Sequence, residues 1–235
     1  MTLWLSRVKI ARGADLDALR PLLDPGSLHG AAKDPVMLGK RTDAHHRLIW
    51  TLFADSPDRA RDFLWRDEGA GGFTLLSARP PVASRVFEPP EVKPFAPALA
   101  HGDRLAFVLR VNATRDLAAA ARGRRVDVVM HALRDVPPGE RAEARMTAAQ
   151  AAAEAWMAGQ GARAGFSPAA LTVADYAVAA LPGHVGRRKS QPQYGILDLA
   201  GVLTVSDPAA FVARLGQGFG RARGFGCGLM LIRRA

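Results

Sequence analysis

The chain holds a single cysteine, Cys227, among its 235 residues. An internal disulfide and any multi-cysteine zinc site are thereby excluded. Lysine is also scarce, with only Lys9, Lys33, Lys40, Lys93 and Lys189, so arginine carries most of the formal net charge of +10. No apolar run is long enough to span a bilayer. The start MTLWLSRVKIARG lacks the charged, apolar and small-residue regions of a secretory leader. These absences predict a cytoplasmic protein with no membrane partner. The reaction motifs missing are equally restrictive. There is no G-x-G-x-x-G, no phosphate-binding G-x-x-x-x-G-K-[ST] loop, no G-x-S-x-G elbow and no H-E-x-x-H. No dense acidic cluster of the kind that holds magnesium occurs either. The expectation is therefore no metal and no cofactor.

What remains is positive charge and glycine. A surplus of this size attracts nucleic acid or an anionic membrane surface. Glycine and arginine meet near the C-terminus, in GQGFGRARGFGCGLMLI over residues 216–232. Glycine lets a backbone approach a ligand with its N–H groups free, and Arg221 and Arg223 add fixed charge. That combination suits the phosphates of a polymer better than a mononucleotide. Cys227, between Gly226 and Gly228, reads as a small packed residue in a strand.

Alternating polarity predicts a first strand over residues 2–10, followed by a short possible helix at 15–23 inside a loop running to residue 42. Asp43 is the expected cap of a helix whose apolar face is Leu48, Ile49, Leu52 and Phe53. Residues 63–67 and 73–78 flank a glycine turn as a hairpin. The proline-rich stretch that follows reads as a linker. Beyond it the order is a strand at 103–113, a helix at 147–159, strands at 171–181 and 194–205, a helix opened by Asp207-Pro208, and a closing strand at 226–232. This is β-α-β-β-α-β, the ferredoxin-like order also used by RNA-recognition modules. The first half begins the same way and then becomes irregular. The fold expected is α+β, with two tandem ferredoxin-like domains and a basic RNA-binding cleft. Residues 1–90 form the first domain, 91–101 the linker and 102–235 the second domain.

Of the six histidines, only His45-His46 lies on a helix directly after a basic segment. Adjacent helical side chains point about 100° apart, so the two are poorly placed to chelate one metal. One of them suits a general acid or base, with Lys40, Arg41 and Arg47 nearby to hold phosphate. Those cations would lower the imidazole pKa and favour its neutral form. The competing reading is an ordinary surface histidine. Arg187, Arg188 and Lys189 join the central strands of the second half, where three cations could enter a groove or form a solvated loop.

Several of these residues together resemble the CRISPR RNA-processing endoribonuclease of type I-E systems, the CasE subunit of Cascade. The strand MTLWLSRVKIAR is similar to that family's first strand. The helix H-x-x-x-W-x-L-F at His46, Trp50, Leu52 and Phe53 is similar to its histidine helix, with ARDFLWR as the next strand. Also similar are LAFVLRVNAT at 105–114, GVLTVSDP at 201–208, and the loop G-x-G-x-x-x-x-x-G-x-G at Gly218, Gly220, Gly226 and Gly228. The resemblance implies a metal-independent cut in the repeat stem-loop of precursor CRISPR RNA, by attack of the RNA's own 2′-hydroxyl. Products would carry 2′,3′-cyclic phosphate and 5′-hydroxyl ends. It assigns catalysis to His46, leaving His45 as a mutational control. It also implies RNA contacts from the glycine loop with Arg223, and from a hairpin that suits Arg187, Arg188 and Lys189. Partners would be the precursor, the mature CRISPR RNA and other Cascade subunits. One departure is Asp43, where family members carry a tyrosine. Two other readings stay open: a non-catalytic RNA-binding scaffold of the same fold, and a metabolite-binding ferredoxin-like enzyme.

Overall fold

The computed structural model describes residues 2–13, 34–56, 58–117, 124–181 and 192–235. They form two compact units. The first takes Met1–Ala96, Val178–Tyr194 and Arg223–Leu229, and the second Pro97–Ala177, Gly195–Ala222 and Met230–Ala235. The chain therefore returns to the first unit twice. The second domain expected over 102–235 gives up residues 178–194 and 223–229 to it.

In the first unit, β1 (Leu3–Lys9), β2 (Phe63–Gly69), β3 (Gly72–Ser77) and β4 (Glu91–Phe95) form one antiparallel sheet in the order β2-β3-β1-β4. Numbering the unit's strands one to four, this is the 4-1-3-2 order of the ferredoxin-like fold. Between β1 and β2 lies α1 (Pro35–Trp50). The crossover from β3 to β4 has no helix, because residues 78–90 run irregularly. Pro80-Pro81 and Pro89-Pro90 lie in that segment, and proline removes helical donors while clashing with the preceding turn. The core beneath α1 comprises Val8, Ile49, Leu52, Phe53, Phe63, Trp65, Phe73, Leu75 and Phe87.

Two expectations change here. Helix α1 begins at Pro35, eight residues before the expected cap, so Lys40 and Arg41 are helical and do not lie in a loop. Asp34 is the true N-cap, its carboxylate accepting from Met37 N at 2.8 Å, and Pro35 sits where a missing N–H costs nothing. Gly39 does not interrupt the helix. A Cβ there would run into the carbonyl of Ala180, so the residue marks a close approach of two backbones. The linker expected over 91–101 overlaps β4, whose residues 91–95 pair with β1 from Leu3↔Phe95 to Arg7↔Glu91. Pro94 is tolerated because β4 is an edge strand.

The second unit repeats the strand order. β5 (Arg104–Val111), β8 (Phe166–Ala180), β9 (Gln193–Val205) and β10 (Met230–Arg234) are arranged β10-β5-β9-β8, again 4-1-3-2. A small ribbon of β6 (Thr114–Leu117) and β7 (Arg124–Asp127) and a short helix α2 (Val128–Ala132) precede α3 (Arg141–Ala164), while α4 (Pro208–Gln217) connects β9 to β10. Alternation along β5 buries Leu105, Phe107, Leu109 and Val111. Ala149, Ala153 and Met157 of α3 and Phe211 and Leu215 of α4 are buried with them. Cys227 is buried as expected but is not in a strand, since β10 starts only at Met230. Gly226 and Gly228 hold φ of 73° and 94°, which breaks the extended run.

Asp207 caps α4, accepting from Ala210 N at 3.0 Å with Pro208 in the first turn. Asp207→Ala should cost about 1 kcal/mol. Urea unfolding of the variant checks this, and an unchanged midpoint would show the cap to be redundant. The helix expected at 15–23 lies outside the described residues.

Candidate active site

Helix α1 presents its two histidines to different surroundings. His45 is 3% exposed. It packs edge-on against Phe73 at 4.9 Å and Trp65 at 6.3 Å between ring centroids. Its Nδ1 lies 3.5 Å from Asp67 Oδ2, which also faces Arg41 at 3.6 Å. The hydrogen bond and charge of His45, with the Gly69 amide and Arg41, hold the Asp67 carboxyl below its ordinary pKa despite burial that pushes the other way. His45 therefore belongs to the core. It is not an innocuous mutational control, because replacing it disturbs packing and a buried carboxylate together.

His46 is half-buried within an aromatic wall. Its ring centroid lies 5.9 Å from Trp50, 6.2 Å from Phe63 and 6.3 Å from Phe225. A Cβ built on Gly224 would stand 3.7 Å from His46 Cε1 and 3.8 Å from Nε2, so the backbone of the C-terminal loop lies against the imidazole. His46 Nδ1 is buried and has no hydrogen-bond partner among the described residues. Burial lowers the imidazole pKa most, Arg61 and Arg47 lower it further, and Asp43 opposes them. At neutral pH the ring is therefore uncharged and able to accept a proton.

The loop reaches this helix through Trp65. Its Nε1 donates to the Gly224 carbonyl at 3.1 Å. Gly224 belongs to a single 3-10 turn, Arg223–Phe225. Phe225 also packs on Tyr194 at 5.5 Å, and the Tyr194 hydroxyl lies 3.3 Å from Thr42 Oγ1 on α1. A phenol thus stands against the same turn of helix that carries Asp43.

The cations divide sharply. Arg41 pairs with Asp67, and the exposed Arg47 pairs with Asp43 at 3.0 Å one helical turn away. Lys40 is exposed on α1. Arg61, absent from the cations expected at the site, donates from Nη1 to the Phe63 carbonyl at 2.8 Å. Its Cζ stands 6.0 Å from the centre of the Phe63 ring. Burial and the nearby Arg223 both push its pKa below the ordinary guanidinium value. Nothing in the spacing of ARDFLWR singles out this arginine, because its role depends on where the loop and helix meet it.

Of the candidate glycine-loop residues, Arg223, Gly226 and Gly228 belong to the first unit with His46. Gly226, at φ 73°, would place a Cβ only 3.1 Å from Trp65 Cη2, so the turn lies flat on the indole. Gly218, Gly220 and Arg221 belong to the second unit, where Arg221 bridges Asn112. Arg187, Arg188 and Lys189 lie outside the described residues. Among the described residues, no group of three or more His, Cys, Asp or Glu could hold a metal ion. Nor is any described helix long and apolar enough to cross a membrane.

A family model described as CRISPR associated protein matches residues 3–234. Among solved structures, the CRISPR endoribonuclease Cse3 bound to a 19-nucleotide RNA is 23% identical, with a TM-score of 0.65 over 99% of this chain and 100% of that one. Cse3 of Thermus thermophilus, bound to an RNA representing a pre-cleavage complex, is also 23% identical, with a TM-score of 0.62 and the same coverage. Cas6e of Escherichia coli K-12 is 21% identical, with a TM-score of 0.60 over 99% of this chain and 100% of that one. No curated protein matches the chain. At these identities the structural likenesses establish the fold, which is the same along the full length of both chains.

Proposed function

The chain belongs to the CRISPR-associated protein family, and we propose that within it this protein is the endoribonuclease that cuts the repeat stem-loop of precursor CRISPR RNA. The observation that carries the reading is His46: a half-buried imidazole, neutral at pH 7, with the Gly224 backbone against it and Arg61 beside it. Structures of the same fold are named as CRISPR endoribonucleases and hold RNA. Both points favour RNA over the metabolite reading.

The chemistry requires little apparatus. The 2′-oxygen next to the scissile bond attacks its own phosphorus, the new P–O2′ bond forms, and the P–O5′ bond breaks. One fragment ends in a 2′,3′-cyclic phosphate and the other in a 5′-hydroxyl. The 2′-hydroxyl proton goes to His46, water protonates the departing 5′-oxygen, and the imidazolium returns its proton to the hydroxide so formed, so no net charge is created. No water is consumed, and no electron changes hands. The nucleophile comes with the substrate, so the protein has to supply proton transfer, alignment and cations for the crowded phosphate. A metal ion has no necessary part in those steps.

Duplex RNA is held mainly by shape and backbone, so Arg187, Arg188, Lys189 and the glycine loop with Arg221 and Arg223 would set affinity and salt dependence. The product remains bound as mature CRISPR RNA, and the protein then serves as a Cascade subunit in the cytoplasm. Turnover is accordingly single. Purified protein incubated with the cognate repeat stem-loop in EDTA should yield one cut whose upstream fragment resists phosphatase until acid opens the cyclic end. Binding without any cut would replace the nuclease reading with that of a scaffold, a reading kept open by Asp43 at the tyrosine position. Salt-insensitive affinity for a small metabolite, with no RNA binding, would reject both.

A further inference from the structure

Five arginines of the first unit face carboxylates. Arg41 faces Asp67, Arg47 faces Asp43, Arg59 faces Asp55, Arg66 faces Glu68, and Arg79 joins Asp55 and Asp62. Arg61 is the exception beside His46. Among the described residues no carboxylate pairs with it, and its hydrogen bond goes to the neutral Phe63 carbonyl. Like charge stands near it in Arg223. A guanidinium partly withdrawn from water and next to another cation is stabilised by an anion, and its planar fork fits phosphate oxygens two at a time.

Its position is as specific as its charge. Phe63 carries Arg61 on its ring at 6.0 Å and His46 at 6.2 Å, and is itself stacked on Phe53 at 4.5 Å with planes 15° apart. Phe53 and Phe63 are core residues. The imidazole and the guanidinium are thus mounted on one rigid aromatic support. Of the cations of α1 expected to hold phosphate, Arg41 and Arg47 are already engaged by carboxylates and Lys40 is exposed.

Resting on the nuclease reading above, we propose that Arg61 is a further catalytic residue, whose guanidinium grips a non-bridging oxygen of the phosphate that reacts beside His46. It neutralises the charge that builds on those oxygens as phosphorus takes a fifth ligand. Its arginine chemistry matters, because a lysine supplies the charge without the fork.

The test compares wild type, Arg61→Ala, Arg61→Gln and Arg61→Lys on the cognate repeat stem-loop RNA in EDTA. Single-turnover cleavage should fall about a hundredfold or more in the alanine and glutamine variants, with partial recovery in the lysine variant. Stem-loop affinity should stay within several fold, and the slope of log affinity against log salt should shrink by roughly one phosphate contact. The acidic limb of the rate profile should also move to higher pH, since a cation facing His46 is gone while Asp43, Arg47 and Arg223 remain; a merely structural arginine would not do this. Cleavage within threefold of wild type in the alanine and glutamine variants would overturn the proposal. So would a loss of rate that follows the thermal midpoint and is not relieved in the lysine variant. If wild type binds but never cuts, the nuclease reading fails by itself; Arg61 is then judged by the salt slope, and an unchanged slope rejects its phosphate contact.

Discussion

His46→Ala should lower the single-turnover rate of repeat stem-loop cleavage by a factor of about 10² to 10⁴ while binding stays within a few fold. That range is what a positioned acid or base contributes to a proton transfer. Binding survives because the imidazole is one uncharged group, whereas affinity for duplex RNA comes from many phosphate contacts. The fold survives because His46 is only half-buried, at the edge of the aromatic cluster that His45 enters fully. The sign of the pH dependence follows from the site. Burial, Arg61 and Arg47 lower the imidazole pKa against the opposing pull of Asp43. The rate carried by neutral His46 is therefore full at pH 7 and declines only as pH drops below the ordinary histidine value of about 6.5. Stability moves in the same direction. Between the lowered pKa and about 6.5 the unfolded chain binds more protons, so the fold weakens as pH falls through that window. Cleavage by the alanine variant at near wild-type rate would remove His46 from the mechanism. An acidic limb above pH 7 would show that the ring is not held in its neutral form.

Local signals carry much of this architecture, and one of them reads differently in two places. Asp207-Pro208 marks the start of α4 correctly because a capping carboxylate and a first-turn proline satisfy the free N–H groups of that turn. Asp34-Pro35 is the same pair and starts α1 in the same way, yet the glycine- and lysine-rich surroundings make it read as loop. Gly39 looks like a breaker in isolation, and its reason appears only where Ala180, far along the chain, meets it. The duplicated 4-1-3-2 sheets follow from element order, but β4 was hidden among prolines that an edge strand accommodates. His46 was singled out by the resemblance of its helix, H-x-x-x-W-x-L-F, to the family's histidine helix. The groups that shape its chemistry were not, because they arrive from distant sequence. Tyr194 touches Thr42 across 152 residues, and Gly224 accepts from Trp65 across 159. Periodicity describes one segment at a time and says nothing about such meetings. The unequal fates of His45 and His46 have the same origin, since adjacent residues on a helix necessarily face different environments.

Trp65→Ala should destabilise the first unit by about 3–5 kcal/mol, since it deletes a large side chain from a packed interior. Trp65 is 0% exposed and meets Phe73 at 5.9 Å as well as His45. The indole also fastens the C-terminal turn, through its bond to the Gly224 carbonyl and its contact with Gly226. Two consequences of one substitution need separating, and Trp65→Phe separates them. Phenylalanine retains much of the apolar contact but cannot donate, which leaves the Gly224 carbonyl without the indole N–H at a cost of about 1–3 kcal/mol. The turn that places Gly224 and Phe225 against His46 then loses its anchor. Cleavage by Trp65→Phe should fall about tenfold or more at a temperature where the variant is fully folded, because a small misplacement of the reacting groups is expensive. Stem-loop affinity should change far less. Denaturant unfolding fixes the stability loss of both variants, and single-turnover cleavage well below the midpoint reads the positioning effect. Wild-type cleavage by Trp65→Phe would show that the turn is held by its own backbone and not by the indole. A midpoint for Trp65→Ala close to that of wild type would place the stability of this unit outside the aromatic cluster built around the ring.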